Sequence, residues 1–319
     1  MKKSKKILLI AGSLVILGCI VLVCVMCALR WDFKKLSTAE YETNTTEIEE
    51  TFDGISISTQ TSDIFFAPSD DGSCKVECYE DKKATHAVSV ENGTLFVKIN
   101  NKKSWYDYIG VQFDSPKITV YLPKTDFNGL SVDGSTGNVT VPKDCSFESA
   151  DVSLTTGNVD FRAAVSGALK IKTNTGSIGV YATSVGSADL SVTTGTVNVS
   201  GLTCGGNVTV SVSTGKANLK DIACDSLTSN GSTGDIVLNN VIAENQISVK
   251  RSTGDVKFDG CDAAKIDVNT STGDVTGSLL TEKTFVTETS TGKIDVPSTA
   301  AGGVCRIKTS TGNIKITLA

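Results

Sequence analysis

KRSTGDVKFDG, residues 250–260, sets a Ser-Thr pair, a Gly and an Asp ahead of an alternating apolar run. Ser252, Thr253, Gly254 and Asp255 hold the ingredients of a phosphate cradle or a metal site, and the reading of the fold turns on whether they do chemistry or only turn a corner. A phosphate loop needs a longer glycine-rich stretch opening a helix, with a Lys following. Here Val256-Lys257-Phe258 alternates apolar and polar, as a strand does.

The fragment recurs along the chain. Thr-Gly places a glycine at Gly137, Gly157, Gly176, Gly195, Gly215, Gly234, Gly254, Gly273, Gly292 and Gly312, at intervals of 19 or 20 residues. The second residue after each glycine is apolar in all ten units, and the fourth is apolar in all but Gly277. The seventh residue before each glycine, from Leu130 to Cys305, is apolar as well. Each unit therefore reads as strand, Thr-Gly corner, strand and short return, with Gly supplying the positive φ of the corner. A unit this small cannot bury its own apolar face, so neighbours must stack. Propeller blades are about twice as long, and the Leu/Asn spacing of leucine-rich repeats is absent. The expected fold is all-β: a parallel β-solenoid of about ten rungs of 19–20 residues. Its rod would be about 50 Å long, and the crossover rule favours a right-handed coil.

Residues 47–122 are strand-like but irregular and are expected to form an N-terminal β cap ahead of the regular repeats, 123–319. ISISTQTSDIFFAP (55–68) reads as a degenerate rung, and Asn92-Gly93 is a hairpin signal. Before the cap, residues 7–29 are 23 apolar or small residues without a charge, enough to cross a hydrocarbon core of about 30 Å as one transmembrane helix. The basic tail 1–6 precedes it and residues 30–46 form a polar tether. The lysines of the tail keep the N-terminus in the cytoplasm and place the solenoid outside, at the cell membrane. A cleaved signal peptide is the competing reading, but the run is long for one and no small-x-small cleavage site follows. Ile16-Leu17-Gly18-Cys19 loosely resembles a lipoprotein box. Without residues 1–30 the chain carries 25 basic against 35 acidic side chains, near −10, which argues against nucleic acid and anionic surfaces as partners.

Seven cysteines follow the apolar segment, an odd number without a framework spacing. Cys204 and Cys224 share one offset on consecutive rungs, in register for either a disulfide or stacked free thiols. With no C-x-x-C outside the apolar segment and His86 alone, zinc is not indicated.

The degenerate start SISTQTSDIFF, the lead-in ITVYLP (118–123) and the serial STGNV, STGDI and STGDV units resemble the bacterial "putative adhesin" domain-of-unknown-function family over residues 50–319. The resemblance implies an envelope-associated β-solenoid, with some relatives tied to envelope stress, and it brings no catalytic residues.

Three features invite a site. Asp235, Asp255 and Asp274 follow the corner glycine on successive rungs, where like charges about 5 Å apart repel and calcium would relieve them. Against calcium, the same column holds Asn, Ser, Thr or Lys elsewhere, and no other cofactor is indicated. Trp105, Tyr106 and Tyr108 gather three of the eight Trp and Tyr residues in one loop, either as anchors for a surface protein or glycan or as a plug for the cap. Third, the last unit runs to the end of the chain with no segment after it, so an uncapped rung is expected at residues 304–319, guarded or open to self-association. Thr-x-Thr pairs such as Thr173/Thr175 and Thr309/Thr311 resemble ice-binding arrays, but Lys250, Arg251 and Glu288 interrupt that face.

No nucleophile-base pair, metal cluster or acidic dyad stands out, and His86 has no evident catalytic partner. The expected function is a non-enzymatic, membrane-anchored scaffold for adhesion or binding outside the cell. An envelope-stress regulatory component is the alternative, and a polysaccharide-active solenoid enzyme the remote one.

Overall fold

The computed structural model describes residues 3–32, 39–69, 71–108, 114–299 and 301–319. One helix, α1 (Lys3–Ala28), precedes twenty strands. The regular part begins with β8 (Asp126–Thr136) and β9 (Val139–Val141), on which β10 (Ser146–Thr156) and β11 (Val159–Phe161) lie parallel, pairing Leu130 with Ala150 and Val139 with Val159. The chain then runs almost continuously as strand through β12 (Ala164–Cys204), β13 (Asn207–Thr233), β14 (Ile236–Thr253) and β15 (Val256–Thr272), each parallel to the next. The parallel β-solenoid expected from the repeat is the fold.

Each rung buries three short sides. The strand before the corner contributes Leu190, Val210 and Ile247, and the strand after it Val199, Leu219 and Leu238. The return adds Leu202, Ile222 and Val241, which pair in register and are buried too. One side chain of each pair along a strand points inward, so stacking repeats these columns into one continuous core.

The corner glycines stack directly. A Cβ on Gly254, whose φ is +141°, would lie 2.1 Å from the carbonyl oxygen of Gly234, and one on Gly215 would lie 1.7 Å from that of Gly195. Positive φ and this close approach together admit only glycine.

The order of rungs departs from the order of sequence at both ends. β15 and β16 (Val275–Leu279) pair with β19 (Gly303–Thr311) and β20 (Ile314–Leu318). The rung between them in sequence, β17 (Lys283–Thr291) with β18 (Ile294–Asp295), stacks beyond these, on their far side. The unit at 303–318 is therefore interior, and among the described residues, 283–296 form the outermost rung, correcting the expectation of an uncapped rung at 304–319. Interior polarity accounts for the exchange. Ile307, Ile314 and Ile316 are fully buried, whereas the outer rung has Thr287 where the inner one has Ile307, and leaves Ile294 46% exposed. An end rung does best with the more polar face.

At the other end, β2 (Gly54–Thr59) and β3 (Asp63–Pro68) form the degenerate rung beneath β8 and β9. Beneath that rung lie β6 (Thr94–Asn101) and β7 (Lys117–Leu122), again out of sequence order. Antiparallel strands close the stack: β5 (Ala84–Glu91) on β6, β4 (Cys74–Asp81) on β7, and β1 (Tyr41–Ile48) on β4. β1 draws residues 41–46 of the expected tether into the cap. The β5–β6 turn is the Asn92-Gly93 hairpin, with φ of 50° and 75°.

All seven cysteines outside α1 are buried and free, Cys204 and Cys224 among them. The first Thr of each Thr-x-Thr pair faces inward rather than forming an outer array: Thr173 and Thr309 are buried, and their hydroxyls donate to the Gly157 and Gly273 carbonyls of the neighbouring rung. Arg251, expected on the outer face, is 4% exposed and reaches across Gly231 to donate from Nη1 to the Val212 carbonyl at 2.7 Å.

Candidate functional site

The cap brings three turns to one corner. The β4–β5 turn carries Lys82 and Lys83, and the end of β6 runs into Lys102 and Lys103. A 3-10 turn, Trp105–Tyr108, follows at once. The Lys102 amide donates to the Lys83 carbonyl at 2.8 Å, joining the two lysine pairs.

The aromatic turn is built locally by Ser104-x-x-Asp107. The Asp107 carboxylate accepts the Ser104 amide at 2.8 Å, and the Asp107 amide donates back to the Ser104 carbonyl at 3.0 Å, the two-way cap of a short helical turn. Lys83 pairs with the same carboxylate, and these contacts, its hydrogen bond to Lys83 foremost, hold the Asp107 carboxyl below the usual range. On the other flank Asn101 donates to the Tyr108 hydroxyl and to Gln60, each at 2.8 Å. Lys103 reaches down to Asp81 at 2.8 Å in a nearly buried pair.

The rings themselves face outward. Trp105 is 77% exposed, Tyr106 57% and Tyr108 58%, with Trp105 edge-on to Tyr106 at 6.0 Å. They do not plug the cap, which is closed by strands. The three large aromatics are held outward by a satisfied polar framework.

Beneath this corner lies a buried polar line that the sequence reading missed. His86 Nδ1 meets the Glu80 carboxylate at 2.6 Å, and that carboxylate also accepts the His86 amide at 2.7 Å. Asn44 donates to the other Glu80 oxygen at 2.8 Å, while His86 Nε2 faces the Thr59 hydroxyl at 3.0 Å. The His86 and Glu80 side chains are each 1% exposed. Glu80 is thus a structural partner for His86.

The order hydroxyl, imidazole, carboxylate is that of a proton relay, but Thr59 is 5% exposed and its hydroxyl also bonds Ser62. The line is a satisfied core network. The Cys78 thiol lies within 4.8 Å of the His86 and Glu80 ligand atoms, a zinc-like trio in kind. The His86 and Glu80 atoms of that trio are already engaged internally. Burial foremost, and then Glu80, pushes the Cys78 thiol up to about 12, so it stays protonated.

The aspartate column is brought together as the repeat implied, in a structural role. Asp255 Oδ1 accepts the Asp274 amide at 2.8 Å, and Asp235 Oδ1 accepts the Asp255 amide at 3.2 Å. Asp274 in turn accepts the amide of Asn313, on the interposed rung, at 2.7 Å. Asn138 and Asn158 do the same lower in the stack. The column is a ladder in which a side-chain oxygen on one rung takes the backbone N–H of the next. Asn serves as well as Asp, which explains their interchange.

Stacked parallel rungs, an antiparallel cap and a glycine-threonine corner define a repetitive β-solenoid. The family model Toastrack DUF4097 matches residues 52–211 and 205–319, and the chain belongs to that family. Among solved structures it is similar to a "putative adhesin" from Bacteroides fragilis, at 17% identity and a TM-score of 0.44, covering 88% of this chain and 99% of that one. A "putative adhesin" from Parabacteroides merdae shares 10% identity at a TM-score of 0.41, with 77% and 98% covered. A "putative lipid binding protein" from Parabacteroides distasonis shares 18% at 0.33, with 75% and 95% covered. No curated protein matches the chain.

Proposed function

We propose that the chain is a membrane-anchored, outward-facing binding scaffold of the bacterial envelope, without enzymatic activity of its own. The observation that carries this reading is the direct join between an apolar helix and a rigid rod. Lys5–Ala28 is long and apolar enough to cross a bilayer, and within a short segment the chain enters the cap as β1. A stack tied by parallel ladders from rung to rung and by side chain to backbone bonds is stiff, and its outward columns are free to present side chains. The carboxylates of its most acidic column hold the next rung's amides, a use that supports a scaffold over a hydrolase.

Protease shaving of intact cells tests the topology, with digestion of the solenoid and protection of residues 1–6 expected. An intact solenoid that becomes cleavable only after cell lysis would refute the outward orientation. Deletion should then reduce attachment of cells to a surface. If attachment is unchanged while the transcriptional response to membrane-active agents is altered, the protein acts in envelope-stress signalling instead.

A further inference from the structure

We propose that the aromatic corner of the cap docks on the headgroup region of the same bilayer that holds α1, laying the rings of Trp105, Tyr106 and Tyr108 into the interface and fixing the rod against the membrane surface. The inference rests on the reading of Lys5–Ala28 as a membrane span.

Connectivity is the first support. The segment leaving α1 enters the solenoid at this corner: Glu40 accepts the Lys82 amide at 3.0 Å and pairs with the Lys82 ammonium at 2.9 Å, and Tyr41 lies opposite Asp81. From Ala28 to Glu40 the chain is roughly a dozen residues, at most about 40 Å even fully extended. The corner is thus leashed close to the bilayer, whatever the direction of the rod.

Chemistry is the second. Trp and Tyr prefer the boundary between hydrocarbon and water, with the ring body in an apolar layer and the N–H or O–H in a wet one. Beside the rings stand Lys82 and Lys83, exposed but each paired with a carboxylate, of Glu40 and Asp107, and Lys102, which joins no ion pair among the described residues. Lysines next to interfacial aromatics suit the phosphates of an anionic leaflet.

The polar framework favours a lipid surface over a glycan. A sugar site needs free hydrogen-bonding groups beside its ring platform. Here both carboxylate oxygens of Asp107 and of Asp81, and the amide of Asn101, are spent on holding the turns. What remains outward is the rings, the Lys102 ammonium and two ion pairs, Lys82–Glu40 and Lys83–Asp107, whose lysines stay more than half exposed.

The test uses the full chain with Trp31→Phe, which leaves Trp105 as the sole tryptophan, reconstituted into phosphatidylglycerol-containing vesicles. Docking predicts a blue-shifted emission, strong quenching by lipids brominated near the headgroup, and iodide quenching several-fold weaker than for a free indole. Lys82→Gln, Lys83→Gln and Lys102→Gln together, or purely zwitterionic vesicles, should restore much of the iodide quenching. Protein retained in the vesicles through alkaline carbonate but showing a solvent-like Trp105 overturns the docking alone. Release by carbonate overturns the span and the docking with it. If cell-wall polysaccharide shields Trp105 and vesicles do not, the corner is a glycan site and the docking is overturned.

Discussion

Replacing Gly254 by alanine tests the corner column. The residue sits at φ +141°, and its new Cβ would lie 2.1 Å from the Gly234 carbonyl oxygen, a backbone atom held on both sides by its own rung. Holding a non-glycine residue in that conformation costs about 1–3 kcal/mol. To relieve the overlap the two rungs must part by roughly 1 Å, which stretches the bonds from the Gly234 amide to the Thr253 carbonyl, 2.8 Å, and from the Ile236 amide to the Asp255 carbonyl, 2.9 Å. At about 1 kcal/mol for each bond lost, the total reaches about 3–5 kcal/mol. That is a large share of the roughly 5–15 kcal/mol that holds an ordinary domain together.

Two controls separate the terms. Gly205 has nothing within 4 Å of its would-be Cβ and no positive φ, so Gly205→Ala should fall within about 0.5 kcal/mol of the parent. Gly72 has φ +78° and equally open space, so Gly72→Ala should show the conformational cost alone, about 1–2 kcal/mol. Denaturant unfolding followed by circular dichroism gives the global values. Hydrogen exchange at the amides of Gly234 and Ile236, which bond across that interface, reports local parting of the rungs, since stacked repeats open piecewise. A Gly254→Ala protein no less stable than Gly205→Ala would refute the close-approach account.

Other outcomes follow from the same structure. Asp255→Asn should be nearly neutral, because the amide oxygen can still take the Asp274 N–H, whereas Asp255→Ala should cost about 0.5–1 kcal/mol by thermal melting. Calcium should leave the melting temperature of the parent unchanged, and a rise of several degrees would restore an ion to that column. The buried thiols should resist a disulfide reagent at neutral pH until the chain unfolds: burial pushes Cys224 and Cys305 up to about 12 and Cys145 up to about 11. The Asp107 carboxyl is depressed by its hydrogen bond to Lys83, so its hold on the aromatic turn is present above the ordinary carboxylate range, about pH 4, and is lost as pH falls through the lower folded value. Trp105 fluorescence anisotropy should therefore be flat from neutral pH to about 4 and fall below it, and Asp107→Asn should abolish the transition.

The solenoid was legible because its period is written ten times, in Gly137 through Gly312 and in the apolar positions on either side. The order of the end rungs was not. The corners at Gly292 and Gly312 carry the same motif, so either could stack on Gly273, and the choice falls to interior residues such as Thr287 against Ile307. Arg251 looked like a surface charge because its neighbours are polar. The clue to its burial was Gly231 at the same offset one rung below, whose missing side chain leaves the space Arg251 fills. The aspartate column was visible, but charge repulsion drew more notice than the interchange of Asp with Asn, which is the mark of an oxygen acceptor serving a backbone amide. His86 and Glu80 face each other only once the turn at Lys82-Lys83 folds β5 back against β4, a pairing that a single-chain pattern does not announce.

The interposed segment Gly303–Leu318 has a consequence for synthesis. A ribosome releases residues 283–296 before the strand pair that must lie between them and residues 265–279, so for that interval the outer rung has no permanent neighbour. Either it waits unpaired, or it settles provisionally on the edge at Gly273 and is displaced when the last strands arrive. A product cut short near residue 300 keeps the provisional arrangement and leaves Thr287 over an interior that Ile307 was to fill. Correct stacking at this end thus requires that residues 303–318 have been made and have inserted between the two rungs that precede them in sequence.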